Sequence, residues 1–263
     1  RKESCQPLWL HATLPWVASR HWLFWSFASI DFVGEVRCYP TSKLREQMKL
    51  SVSESDFFSS VKAGDVFSVK QALRPEPYLT NFQDEIGKSP LWLAVENCLP
   101  EMAETLIAHG ASVNVTDQDG NSLLHLSVNN WLNSNRDTTR NFISIVNILL
   151  NSGININITN NKGLSCLHEA AISGDKEMAL FLIENGADIN QKNNEGFTPF
   201  LWGLCANVWE RDISRHVETL EVLVKFGADV NAVTDNSETA LKLAEKWNSR
   251  SPFIQFLKEH GAN

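Results

Sequence analysis

Apolar residues fall in two blocks that return, in register, along most of the chain. The first opens on Ser or Thr: SPLWLA (Ser89–Ala94), SLLHLS (Ser122–Ser127), SCLHEA (Ser165–Ala170), TPFLWG (Thr198–Gly203) and TALKLA (Thr239–Ala244). The second surrounds a glycine: LIAHGASVN (Leu106–Asn114), LLNSGININ (Leu149–Asn157), LIENGADIN (Leu182–Asn190), LVKFGADVN (Leu223–Asn231) and LKEHGAN (Leu257–Asn263). Successive Ser/Thr positions lie 33, 43, 33 and 41 residues apart. A period of 33 with insertions of 10 and 8 residues accounts for all four intervals. Each unit is therefore predicted to be a helix, a short turn, a second helix and an extended turn that projects sideways.

Every part of the unit has a local cause. Ser or Thr at the head is a helix N-cap, its oxygen accepting an orphan backbone N–H. Pro90 and Pro199 follow in the first turn, where no donor is needed. Leu and Ala next give a narrow face for close packing of neighbours. The glycines after each second helix (Gly110, Gly153, Gly186, Gly227 and Gly261) suit left-handed C-caps. Polar stretches such as Thr116-Asp117-Gln118-Asp119-Gly120 are turn chemistry.

This two-part motif resembles the ankyrin repeat family over about residues 52–263. The resemblance implies an all-α solenoid of about six stacked helix-turn-helix units with short β-turn fingers, each unit burying its faces on its neighbours. The expected division is a Trp-rich segment over 1–47 and a repeat domain over 48–263. Within the domain come a capping repeat at about 52–80 and repeats at about 84–116, 117–159, 160–192, 193–233 and 234–263. The cap is read from Ser55–Leu73, two short helices broken at Gly64, with Lys62, Lys70 and Gln71 for a polar outer face. A fainter resemblance, in Gly87–Ala94 with His109-Gly110, is to rabankyrin-type endosomal proteins, without their zinc-finger cysteines.

Composition narrows the function. The chain has 263 residues and a formal net charge of −8, which argues against general nucleic-acid binding. Residues 1–47 hold four of the nine Trp, with six Lys/Arg against four Asp/Glu. Without them the balance is 17 against 27, a net of −10. The largely apolar run Trp22–Ile30 is nine residues long, far short of the ~20 a membrane-spanning helix needs. Residues 1–47 are expected to be disordered or non-native sequence ahead of Met48, with membrane or partner anchoring through them as the alternative. Five widely spaced Cys (Cys5, Cys38, Cys98, Cys166 and Cys205) form no C-x-x-C pair, and reduced, inert thiols in a cytoplasmic protein are expected.

Candidate chemistry is sparse. No phosphate loop, dinucleotide fingerprint, zinc-protease helix or nucleophile elbow is present in the sequence. His125 and His168 share the fourth position of successive first blocks, where the resemblance implies a structural histidine bridging repeats. Trp92, Leu201 and Lys242 hold that position elsewhere. His109 and His260 precede C-cap glycines at helix ends. No metal, cofactor or catalytic residue is expected.

The expected function is a non-catalytic interaction module or scaffold, monomeric, that binds a protein partner with a basic or polar contact surface. The alternatives are a membrane-associated or endosomal trafficking adaptor, or the regulatory segment of a larger enzyme or ubiquitin-ligase adaptor. The resemblance implies contact through turn tips (Gln118, Asp119, Asn121, Lys162, Leu164, Glu195, Phe197, Glu238) and the concave inner-helix face (Glu96, Asn97, Asn129, Asn130). Both insertions, Asn130–Thr139 and Ala206–Ile213, interrupt units between their helices, and each brings a Trp, Trp131 and Trp209. With Trp247 at the comparable junction, these form either an anchor row for a partner or plugs that close the core. In the second block, Asn231, and next Asn190, resembles the asparagine that asparaginyl hydroxylases accept.

Overall fold

The computed structural model describes residues 53–132, 139–206, 213–248 and 252–262, together with two short strands. The chain divides into two units, 1–50 and 51–263. In the first, β1 (Ser29–Ile30) pairs antiparallel with β2 (Val36–Arg37), Ser29 opposite Arg37. The rest of residues 1–47, including the four Trp there, lies outside the described residues. Among those described, no helix is long and apolar enough to cross a membrane.

The second unit is a stack of helix pairs. A cap pair, α1 (Glu54–Ala63) and α2 (Val66–Leu73), is followed by a 3-10 turn over Pro77–Asn81. The inner helices that follow are α3 (Pro90–Glu96), α5 (Leu123–Leu132), α7 (Cys166–Ser173), α9 (Pro199–Leu204) and α11 (Ala240–Asn248). Each has an outer partner: α4 (Pro100–Ala108), α6 (Thr139–Asn151), α8 (Lys176–Glu184), α10 (Ile213–Lys225) and α12 (Pro252–Glu259). Inner helices pack in sequence, α1 on α3, α3 on α5, and so on to α11. This unit is the all-α stack that the resemblance implied.

The predicted caps form. Ser89 accepts from the Trp92 N–H at 3.2 Å and Thr198 from the Leu201 N–H at 3.3 Å. The core is one continuous cluster running from Phe57 in α1 to Leu257 in α12. It is filled by the Leu and Ala of the first block and by outer-helix residues such as Met102, Leu149, Met178 and Leu223, all essentially inaccessible. Burying a side chain of this kind stabilises by about 1.5–3 kcal/mol.

The insertions are not simply loops between the helices. In the second repeat Asn130–Leu132 continue α5, and Thr139 opens α6. α6 and α10 each have 13 residues, against nine in α4 and α8. Extra residues thus lengthen outer helices, because an amphipathic helix end buries more apolar surface than a solvated loop. The remaining 133–138 and 207–212, with Trp209, Arg136 and Arg211, lie outside the described residues.

Candidate functional site

Turn chemistry builds the fingers between inner helices. The first residue of each polar turn folds it from within. Asp117 Oδ1 accepts from the N–H groups of Asp119 and Asn121, Asn160 Oδ1 from Lys162 and Leu164, and Asn193 Oδ1 from Glu195 and Phe197. Neighbouring fingers then bond to each other. Asn161 donates its N–H to Asp119 O at 3.0 Å, Asn194 to Lys162 O at 3.2 Å, and Asp235 to Glu195 O at 3.1 Å. The approach is so close that a Cβ on Gly163 would fall 2.4 Å from Asn194 Oδ1. The first finger differs: Gly87 has no such neighbour within 4 Å, and a cavity of about 530 Å³ separates this finger from the second. Ile86 at its tip is 74% exposed.

Beneath the fingers lies a buried histidine relay. His125 and His168 are fully buried. His125 Nε2 donates to Leu164 O at 2.9 Å and His168 Nε2 to Phe197 O at 3.0 Å, each carbonyl belonging to the next repeat. A carbonyl can only accept, so the proton is on Nε2 and Nδ1 accepts from the preceding Ser122 or Ser165. Burial pushes both imidazoles below their ordinary range. His109 and His260 instead donate Nδ1–H to Thr105 O and Phe256 O, both at 2.8 Å, closing their own helix ends. These histidines hold the stack together.

Three expected contact residues are corrected by these positions. Leu164 and Phe197 are 6% and 8% exposed, because their carbonyls must reach the histidines and their side chains follow into the core. Trp131 is 9% exposed and donates its indole N–H to Asp175 Oδ2 at 3.1 Å. It seals the junction with the next repeat and does not stand out as an anchor. Trp247 lies on α11, outside the described side chains, and Trp209 lies outside the described residues.

Asp175, which also caps α8 through the Met178 N–H, shares a two-residue link with Gly174. His216 of α10 rests on that link from the other side, its Nε2 3.1 Å from Ile172 O. Both lengthened repeats therefore press on the short link between them.

The three described thiols are held in their protonated form. Burial pushes Cys98 and Cys205 up to about 11 and Cys166 higher still. Among the described residues no His/Cys/Asp/Glu group is arranged to hold a metal.

The remaining predicted positions share one face. Two register places border it: the residue just before each Ser/Thr cap and the residue seven after that cap. In the first repeat these are Lys88 and Glu96, whose Nζ and Oε1 lie 2.6 Å apart. In the fifth they are Glu238 and Lys246, at 3.0 Å with polarity reversed. In the second they are Asn121 and Asn129; in the third and fourth, Leu164 and Ile172, then Phe197 and Cys205. Asn97 closes α3 by donating to Leu93 O at 2.8 Å, and Asn130 reaches back to Glu96 O at 3.4 Å. Gln118, Asp119, Lys162 and Glu195 are exposed on the fingers, while their backbone carbonyls serve the ladder. Four residues past the cap stand Leu126, Glu169 and Trp202, all half-buried. Composition had marked Glu169 and Trp202 only as repeat residues; the signal was there, as a carboxylate and an indole where other units carry Leu. The centre of the face is thus an apolar trough holding one carboxylate, flanked by self-neutralised ends.

A family profile described as Ankyrin repeats (3 copies) matches residues 57–138 and 136–208. The chain belongs to the ankyrin repeat family. Ankyrin repeats are protein-interaction modules, so the stack binds proteins. Among similar proteins, palmitoyltransferase AKR1 of Lachancea kluyveri is 26% identical over 70% of this chain and 23% of its own length. The B-cell lymphoma 3 protein homolog of Mus musculus is 26% identical over 68% of this chain and 37% of its own. An ankyrin repeat protein of fowlpox virus is 36% identical over 49% of this chain and 38% of its own. The chain thus spans between about a quarter and two-fifths of the length of these relatives.

Proposed function

We propose that this ankyrin stack is a non-catalytic scaffold that holds a partner protein in the central trough of its inner-helix face, with the finger tips as polar rim. The contrast along that face carries the reading: half-buried Ile172, Trp202 and Cys205 in repeats 3 and 4, ion pairs in repeats 1 and 5. A half-exposed apolar strip bounded by polar residues is the composition of an interface core and rim. The rim is acidic or amide-rich at Asp119, Glu195 and Asp235, which suits a partner with a basic or polar surface. The likeness to palmitoyltransferases also fits a variant of this role, in which the repeats are the recognition segment of a longer enzyme.

The test is site-specific photocrosslinking in cells that express the full chain. A photoreactive residue at Asn129 or Ile172 is expected to capture a protein adduct, and one at Glu177 on the outer helices is not. Adducts confined to Glu177 would overturn the reading.

A further inference from the structure

The trough contains a charge with no partner. Glu169 is the fourth residue after its cap on α7, the register place that Leu126 holds on α5 and Trp202 on α9, the two helices packed against α7. Its carboxylate makes no hydrogen bond or ion pair among the described residues; Lys162, on the finger, acts on it only at longer range. Desolvation raises its pKa, so the site disfavours the bare charge. A half-buried carboxylate left unpaired costs free energy that a cation in the trough would recover.

Among the described lysines of this face, two are paired with other carboxylates and Lys162 reaches Glu169 only at longer range. Lys88 is taken by Glu96 and Lys246 by Glu238. The backbones of α7 and α9 come unusually near each other: a Cβ on Gly203 would lie 3.2 Å from Ala171 O. Trp202 precedes Gly203 on α9, and Ala171 follows Glu169 by two residues on α7. Trp202 is itself steadied edge-on by Phe197, with ring centroids 5.5 Å apart. An indole and a carboxylate on adjacent helices, in an apolar surround, match the chemistry of a planar, weakly hydrated cation. Arginine can pair with the carboxylate and stack on the ring, whereas the compact, strongly hydrated ammonium of lysine loses more on leaving water.

Resting on the trough reading, we propose that the trough recognises an arginine of the partner, its guanidinium paired with Glu169 and stacked on Trp202, its apolar neighbours lying on Leu126 and Ile172. The partner segment is therefore an apolar stretch interrupted by one arginine.

Calorimetry on the full chain tests this with two capped pentapeptides, Gly-Leu-Arg-Leu-Gly and its twin with citrulline, which keeps the shape and removes the charge. The arginine peptide is expected to bind at least ~10-fold more tightly. Glu169→Gln, which keeps size and fold, should erase that difference and leave the citrulline peptide unchanged. Trp202→Leu should weaken both. Equal binding of the two peptides, no binding of either, or an undiminished preference in Glu169→Gln overturns the arginine assignment. The trough reading fails separately, by crosslinks that map to the outer helices. Crosslinks in the trough together with equal peptide binding would keep the trough and discard the arginine.

Discussion

The centre and the ends of this stack are made from the same repeat but held by different forces. Repeats 2 and 3 are tied forward by buried histidines, and fingers 2 to 5 by backbone bonds. Trp131 and His216 converge on the Gly174-Asp175 link. At the ends the histidine is replaced by Trp92 and by exposed Lys242, the first finger stands apart, and the inner face closes on surface ion pairs. Directional bonds in a dry interior are strong and brittle, whereas exposed ion pairs are weak and adaptable. A repeat protein can therefore keep a rigid central surface while its ends fray, since each unit answers only to its neighbours.

The largest break in that contrast is expected at Gly174. Its φ is +64°, and a Cβ there would meet the His216 ring at 2.5 Å. Gly174→Val combines left-handed strain with overpacking and should cost about 3–5 kcal/mol. Gly186→Val, where nothing lies within 4 Å of the added atom, bears the strain alone and should cost about 1–3 kcal/mol. Urea midpoints of the two variants measure the difference, and equal losses would refute the close packing of His216 on Gly174.

Next is the histidine relay. His168→Ala strands Phe197 O and the Ser165 N–H in the core and should cost about 2–4 kcal/mol. The same relay gives the centre a pH dependence. Both folded-state pKa values lie below the ordinary His value, so the unfolded chain binds more protons in acid. Stability is full above about pH 6.5 and falls as pH drops below it. Urea titrations at pH 7.5 and 5.5 should show the loss in the parent and a smaller one in His168→Ala.

Trp131→Phe removes the bond to Asp175 together with the five-membered half of the indole, for a loss of about 2–3 kcal/mol. At the C-terminal end, Ser237 sits at φ +57° where the other fingers carry glycine. Ser237→Gly should stabilise by about 0.5–1 kcal/mol, read from the thermal midpoint, because the strain leaves with the Cβ. Smallest is Lys88→Met. The exposed pair with Glu96 should be worth no more than about 0.5 kcal/mol, and that difference should vanish in high salt.

Asparagines show how a motif residue is committed in three dimensions. Asn190 donates its amide to Gly227 O at 3.1 Å and accepts the Asp229 N–H at 2.9 Å, and Asn157 does the same toward Gly186 and Asp188. Modification at Asn190 would act on a side chain that already spans two repeats. Asn231 repeats the donor half, toward Gly261 O at 3.5 Å.

Period, caps and glycine punctuation were legible in the linear chain, because each is a local rule: a hydroxyl three residues from an N–H, or an apolar face returning every turn of helix; the structural histidines were implied by the family resemblance. The all-α stack and its inner face follow from those rules. Tertiary structure alone decided where the odd residues went. Trp131 had the composition of an anchor, but α5 runs on through it and Asp175 of the next repeat takes its N–H. Leu164 and Phe197 read as finger residues, yet the histidines draw their carbonyls inward. Glu169 read only as a repeat residue, and the packing of α9 on α7 is what brings its register place next to that of Trp202. Such outcomes depend on contacts between residues some 30 to 45 positions apart, and a local rule carries no information about which neighbour will fill, bond or leave open a given side chain.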